Sequence, residues 1–91
     1  MDNTNDAKVH NNPGSTKFAL KIFWIVDHQR INTEYDIYED FDGAVGFGKF
    51  LMETVQGFEG ASIQETFKDG SLGRVWDYKD DTKQFVLRVV A

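Results

Sequence analysis

The chain has 91 residues, 41% of them apolar or aromatic and 27% charged, with no cysteine and a net charge of −5 at neutral pH. That length fills one small core rather than two, the apolar fraction excludes a wholly disordered chain, and the missing thiols exclude disulfides and thiolate metal sites. Between Asp27 and Asp42 stand Asp27, Glu34, Asp36, Glu39, Asp40 and Asp42 against Arg30 alone, so this segment carries the whole imbalance and favours basic partners over nucleic acid or an anionic membrane.

Residues 1–16 are polar and lack an apolar period, and they read as a flexible tail ahead of a single domain over residues 17–91. The apolar runs fall far short of the ~20 residues that a membrane helix needs, and no basic-plus-apolar leader opens the chain, so the expected location is cytoplasmic.

Lys17 to Asp27 alternates strictly. Phe18, Leu20, Ile22, Trp24 and Val26 fall on one side, and Lys17, Ala19, Lys21, Phe23, Ile25 and Asp27 on the other. Period 2 with β-branched and aromatic residues predicts a long central strand with one apolar face against a core. His28 to Asn32 reads as a connection. Thr33 to Glu39 alternates again and should pair with the first strand as a hairpin, with Tyr35 and Ile37 inward and Glu34, Asp36 and Tyr38 outward.

From Asp40 the period changes to that of a helix, with Ala44, Phe47, Leu51, Val55 and Phe58 as an apolar stripe, Asp40 or Asp42 as the cap, and Gly57 as the stop. Gly43, Gly46 and Gly48 weaken such a helix and are read as points of close approach to the sheet. Ser62 to Phe67, an Asp69-Gly70 turn and Leu72 to Tyr78 make a second hairpin. After a turn at Asp80-Asp81-Thr82, Phe85 to Val90 should place Phe85, Leu87 and Val89 inward. The alternation around Trp76 fits either face. The fold class is therefore α+β, a single small ββαβββ domain in which one helix covers one face of a five-stranded antiparallel sheet.

Chemical motifs fail on context. Gly43 to Lys49 has the Gly-x-x-x-x-Gly-Lys spacing of a phosphate loop, but Phe50 stands where a hydroxyl must hold Mg²⁺ and acidic neighbours repel phosphate. Asp40-Phe-Asp42-Gly43 has its glycine at the fourth rather than the sixth place of a calcium loop, and Leu51 at the twelfth. His10 and His28 have no nucleophile and orienting group that complete a hydrolytic set. No catalytic residue, cofactor or metal is expected.

What remains is surface. Phe23 and Ile25, with Tyr38, Val86, Arg88 and Val90, should share the sheet face that the helix leaves open, and a patch of that kind marks an interface. Glu34, Asp36, Tyr38, Glu39, Asp40 and Asp42 should form an acidic ridge around an aromatic anchor. In the order of its elements alone, residues 17–90 resemble several small inhibitor proteins: the phage inhibitor of bacterial RNA polymerase, the immunity proteins of ribonuclease colicins, and some anti-CRISPR proteins. The resemblance carries no site residues. It implies a class, small acidic proteins that occupy the basic substrate surface of a nucleic-acid enzyme. The expectation is a non-enzymatic binding protein that inhibits or regulates such a partner, without itself binding nucleic acid. The alternative is an assembly subunit, such as a homodimer, that self-associates through the open sheet face.

Overall fold

The computed structural model describes residues 15–38 and 40–89, with side chains from Lys17 onward. Its elements are β1 (Ser15–Val26), β2 (Gln29–Ile37), α1 (Phe41–Thr54), β3 (Phe58–Phe67), β4 (Leu72–Lys79) and β5 (Gln84–Leu87). The strands form one antiparallel sheet in the order β2-β1-β3-β4-β5. This is the expected ββαβββ domain. β1 lies inside the sheet between β2 and β3, as its fully apolar face demands.

The first turn is tighter than the expected connection over residues 28–32. Val26 pairs with Gln29, leaving Asp27 and His28 as a two-residue loop with φ of 51° and 66°. Both central residues are left-handed, the arrangement of a type I′ hairpin whose twist matches the strands it joins. β2 consequently starts four residues earlier than Thr33 and runs in unbroken register with β1 from Gln29 to Ile37.

Phe18, Leu20, Ile22 and Trp24 are buried on the helix side with Ala61 and Ile63 of β3 and Trp76 of β4. Trp76 thus belongs to the core face. Its ring lies 4.4 Å from that of Phe41 and 6.1 Å from that of Phe18, and its indole Nε1 has no hydrogen-bond partner. Trp24, by contrast, donates from Nε1 to Thr33 Oγ1 at 2.9 Å.

Asp40 caps α1: its backbone is extended, and its carboxylate accepts from the Gly43 amide at 2.8 Å. The buried face of the helix differs from the expected stripe. Phe41, Ala44 and Gly48 face the sheet, with Val45 and Leu51 partly buried beside them, whereas Val55 is exposed past the helix end and Phe58 opens β3. The reason is Gly48. A Cβ there would lie 3.2 Å from Leu20 Cδ1 and 3.4 Å from Phe85 Cζ, so the helix seats its glycine edge on the sheet and rolls Phe47 outward to meet Tyr35 at 5.2 Å. Gly57 lies in the link to β3 rather than at the helix end; its φ of +93°, and an Ile25 carbonyl oxygen 2.6 Å from where a Cβ would sit, admit no side chain.

β3 begins at Phe58, four residues before Ser62, and the Asp69-Gly70 turn forms as expected. Asp69 Oδ1 accepts from both the amide and the hydroxyl of Ser71, which holds its carboxyl below the ordinary range. β5 is shorter than expected. It stops at Leu87, so Phe85 packs on Tyr78 at 5.3 Å while Val89 lies past the strand, 86% exposed rather than inward.

Candidate functional site

The acidic segment folds into a corner where β2 ends and α1 begins. Because Tyr35 and Ile37 of β2 are packed against the core, the alternating Glu34 and Asp36 stand on the open side of the sheet. Tyr38 follows the strand end and is 71% exposed. Asp40 and Asp42 come next at the helix start, both exposed. Glu39 lies outside the described residues. The expected ridge is therefore a corner in which Tyr38 separates a strand pair of acids from a helix pair.

These carboxylates are not equivalent. Asp36 Oδ2 holds Lys17 Nζ at 3.2 Å, and Glu34 stands opposite Lys21 in the β1–β2 register. Asp40 is committed to the helix cap. Asp42, in the first helical turn, also complements the positive end of the helix dipole. The segment keeps its net negative charge, but its strand half is interleaved with lysines. An Asp36–Ile37–Tyr38 wall and the Gly43–Phe47 side of α1 enclose a shallow hollow beside it.

The open sheet face is different from the apolar patch expected from Phe23, Ile25, Tyr38 and Val86. Phe23 is half-buried beneath the Arg30 guanidinium, 4.4 Å from its ring centre, and Arg30 in turn holds Glu59 at 2.6 Å. Ile25 and Val86 are about half exposed, but β3 and β4 stand between β1 and β5 and present Ser62, Gln64 and Asp77 there. Tyr38 sits beyond the strand rather than on the face. Arg88 grips Asp77 with two parallel bonds, Nε to Oδ2 at 2.8 Å and Nη2 to Oδ1 at 2.6 Å. This fork depresses the Asp77 carboxyl and raises the Arg88 guanidinium. A shallow concavity of about 610 Å³ results, lined by Lys17, Lys21, Gln64 and the Asp77–Arg88 pair among others. Val90 lies outside the described residues.

Glu65 is a feature that sequence reading passed over. It is fully buried on the core face of β3, and Arg74 reaches it from β4 with its backbone N–H and Nε at 3.0 Å and Nη2 at 2.8 Å. That contact raises the guanidinium further, and the same group lies 5.2 Å from the Trp76 ring centre. The signal was present: Glu65 shares a strand parity with Ile63, and Arg74 with Trp76. A paired carboxylate at the core rim is structural chemistry, since a buried charge must be matched.

The glycine motif does not make a loop. Gly43 to Lys49 lies inside α1, where backbone amides past the first turn are used by the helix. Among the described residues no group of three or more His, Cys, Asp or Glu side chains could hold a metal ion, and no helix is long and apolar enough to cross a membrane. Compared with known proteins, the chain matches no family model, no curated sequence and no solved structure.

Proposed function

We propose that this is a binding protein without a catalytic step, which occupies a basic surface of a nucleic-acid-handling partner through the corner between β2 and α1. The observation that carries the reading is Tyr38: a large aromatic side chain, 71% exposed, set among Asp36, Asp40 and Asp42 at the junction of two rigid elements. An aromatic that is displayed rather than packed offers contact area at low entropic cost, and neighbouring like charges speed encounter with an oppositely charged partner. The surrounding acids fit a cationic surface that ordinarily holds phosphates.

The test is affinity capture with matched baits, the wild-type chain and the triple variant Tyr38→Ala, Glu39→Lys, Asp42→Lys, followed by an activity assay of what is captured. A basic nucleic-acid enzyme retained by wild type at low salt, released at high salt, missed by the variant and inhibited by the wild-type protein supports the reading. Identical captured sets for the two baits contradict it.

A further inference from the structure

The outer edge of β2 is complementary to itself. Among the described residues the sheet ends at β2 on one side and at β5 on the other, and the two edges are unlike. β5 has four residues, whereas β2 has nine in unbroken register with β1, with no proline, no lysine and no bulge. Long regular edges are templates for strand pairing unless prolines, bulges or unmatched charges blunt them, and the charges on this edge, Arg30, Glu34 and Asp36, are of both signs.

The hydrogen-bond parity of this edge follows from the turn. In a hairpin closed by two residues, Val26 and Gln29 form the hydrogen-bonded pair next to the loop, and bonded and non-bonded pairs alternate from there. The backbone groups of Gln29, Ile31, Thr33, Tyr35 and Ile37 are thus turned to β1. Those of Arg30, Asn32, Glu34 and Asp36 are turned outward. Two copies of β2 paired antiparallel about Thr33, the midpoint of Gln29–Ile37, place Arg30 opposite Asp36 and Asn32 opposite Glu34. Each of these residues offers outward-facing amides and carbonyls to the other, as a bonded pair requires. This register pairs the whole strand. It also sets Arg30 opposite Asp36 twice by symmetry, each shared with a partner inside its own copy, Glu59 for Arg30 and Lys17 for Asp36, whereas a shift of the centre to Glu34 would set like charges face to face.

Apolar exposure lies along the same edge. On the helix side, Ile31, Val26 and Val55 are about half exposed and border a groove of about 250 Å³ with Tyr35 and Leu51. In the Thr33-centred register Ile31 of one copy meets Tyr35 of the other across a close, non-bonded pair. The two helices would stand on one face of a ten-stranded sheet. Since α1 packs over β1 and β3, their axes would be separated by about four strand spacings, ~19 Å, well beyond the ~10–12 Å diameter of a helix.

We infer that a second copy of this chain is the occupant of the β2 edge, docked antiparallel about Thr33 with Arg30 paired to Asp36 of the other copy. The inference shares Asp36 with the Tyr38 corner, but its readout is the mass of the chain alone, with no partner protein present, so its failure leaves the proposed function standing. It is tested by light scattering and sedimentation of the full chain at rising concentration. Wild type should move toward twice its 10.4 kDa mass. Arg30→Asp and Asp36→Arg should each weaken self-association by about tenfold, because each sets like charges in apposition. An equimolar mixture of the two should recover dimer, since both cross-strand pairs are then of opposite sign. Asn32→Pro removes an outward amide without touching the β1 ladder and should leave a folded monomer. A wild-type monomer throughout, charge variants that dimerise as wild type does, or a dimer untouched by Asn32→Pro would each overturn the inference.

Discussion

Arg74 holds Glu65 by three donors, its own backbone amide and two guanidinium nitrogens, although Glu65 is fully buried and Arg74 lies at the rim of the core. Withdrawing the cation from a buried carboxylate costs far more than the net value of the pair. Arg74→Ala should therefore destabilise the fold by about 3 kcal/mol, the lower end of the ~3–5 kcal/mol range for breaking a buried pair, because the arginine is partly hydrated. The double variant Glu65→Met, Arg74→Met should recover much of that loss, and urea unfolding followed by tryptophan fluorescence checks both.

The two mid-helix glycines should respond in opposite directions. A Cβ at Gly46 meets nothing within 4 Å, so Gly46→Ala gains helix propensity and should stabilise by about 0.5–1 kcal/mol. At Gly48 the space is taken by Leu20 and Phe85. Gly48→Val should destabilise by about 1–3 kcal/mol through overpacking, measured as a shift in the urea midpoint.

The first hairpin turn is built without the glycine that its second central position favours. Asp27 and His28 both occupy the left-handed region, which costs an L residue and suits Asn-Gly. The double change Asp27→Asn, His28→Gly should raise stability by about 1 kcal/mol, read from thermal unfolding.

Acid should loosen the β4–β5 edge. Asp77 is depressed by the Arg88 fork, so the pair contributes stability above the ordinary carboxylate value of 3.8, and that contribution is lost as pH falls through the lower folded value. The stability difference between wild type and Arg88→Gln should hold steady at neutral pH and shrink once pH drops below that window. A difference that persists unchanged in strong acid contradicts the assignment.

Much of this arrangement was legible in residue order. The alternation of Phe18 to Trp24 specified the central strand and its buried face, and the change of period at Asp40 specified the helix and narrowed its cap to Asp40 or Asp42. What escaped had a physical cause in each case. The Asp27-His28 turn carries no glycine to announce it, so alternation alone starts β2 at Thr33 rather than Gln29. The helix face rotated because Gly48 contributes no side chain and yet makes the closest approach, which an apolar count cannot register. Glu65 reads as a polar interruption of a strand until its partner on β4 is known. On the open face, alternation correctly put Phe23 on the far side from the core. It could not reveal that Arg30 lies over that ring or that polar residues of β3 and β4 separate it from Val86. Asp40, grouped with the ridge by charge and also read as a cap, is occupied as the cap. Charge reversal at that position would confound binding with helix stability.

The central claim is that the corner recognises a basic partner, with charge governing encounter and Tyr38 governing residence. Association and dissociation rates with the captured enzyme, measured by surface kinetics across a salt series, test it most directly. Glu39→Lys with Asp42→Lys should slow association and flatten its salt dependence, while Tyr38→Ala should leave association nearly unchanged and speed dissociation by about 30-fold, as for loss of a ~2 kcal/mol anchor. Rates for both variants equal to wild type at low salt would contradict the account.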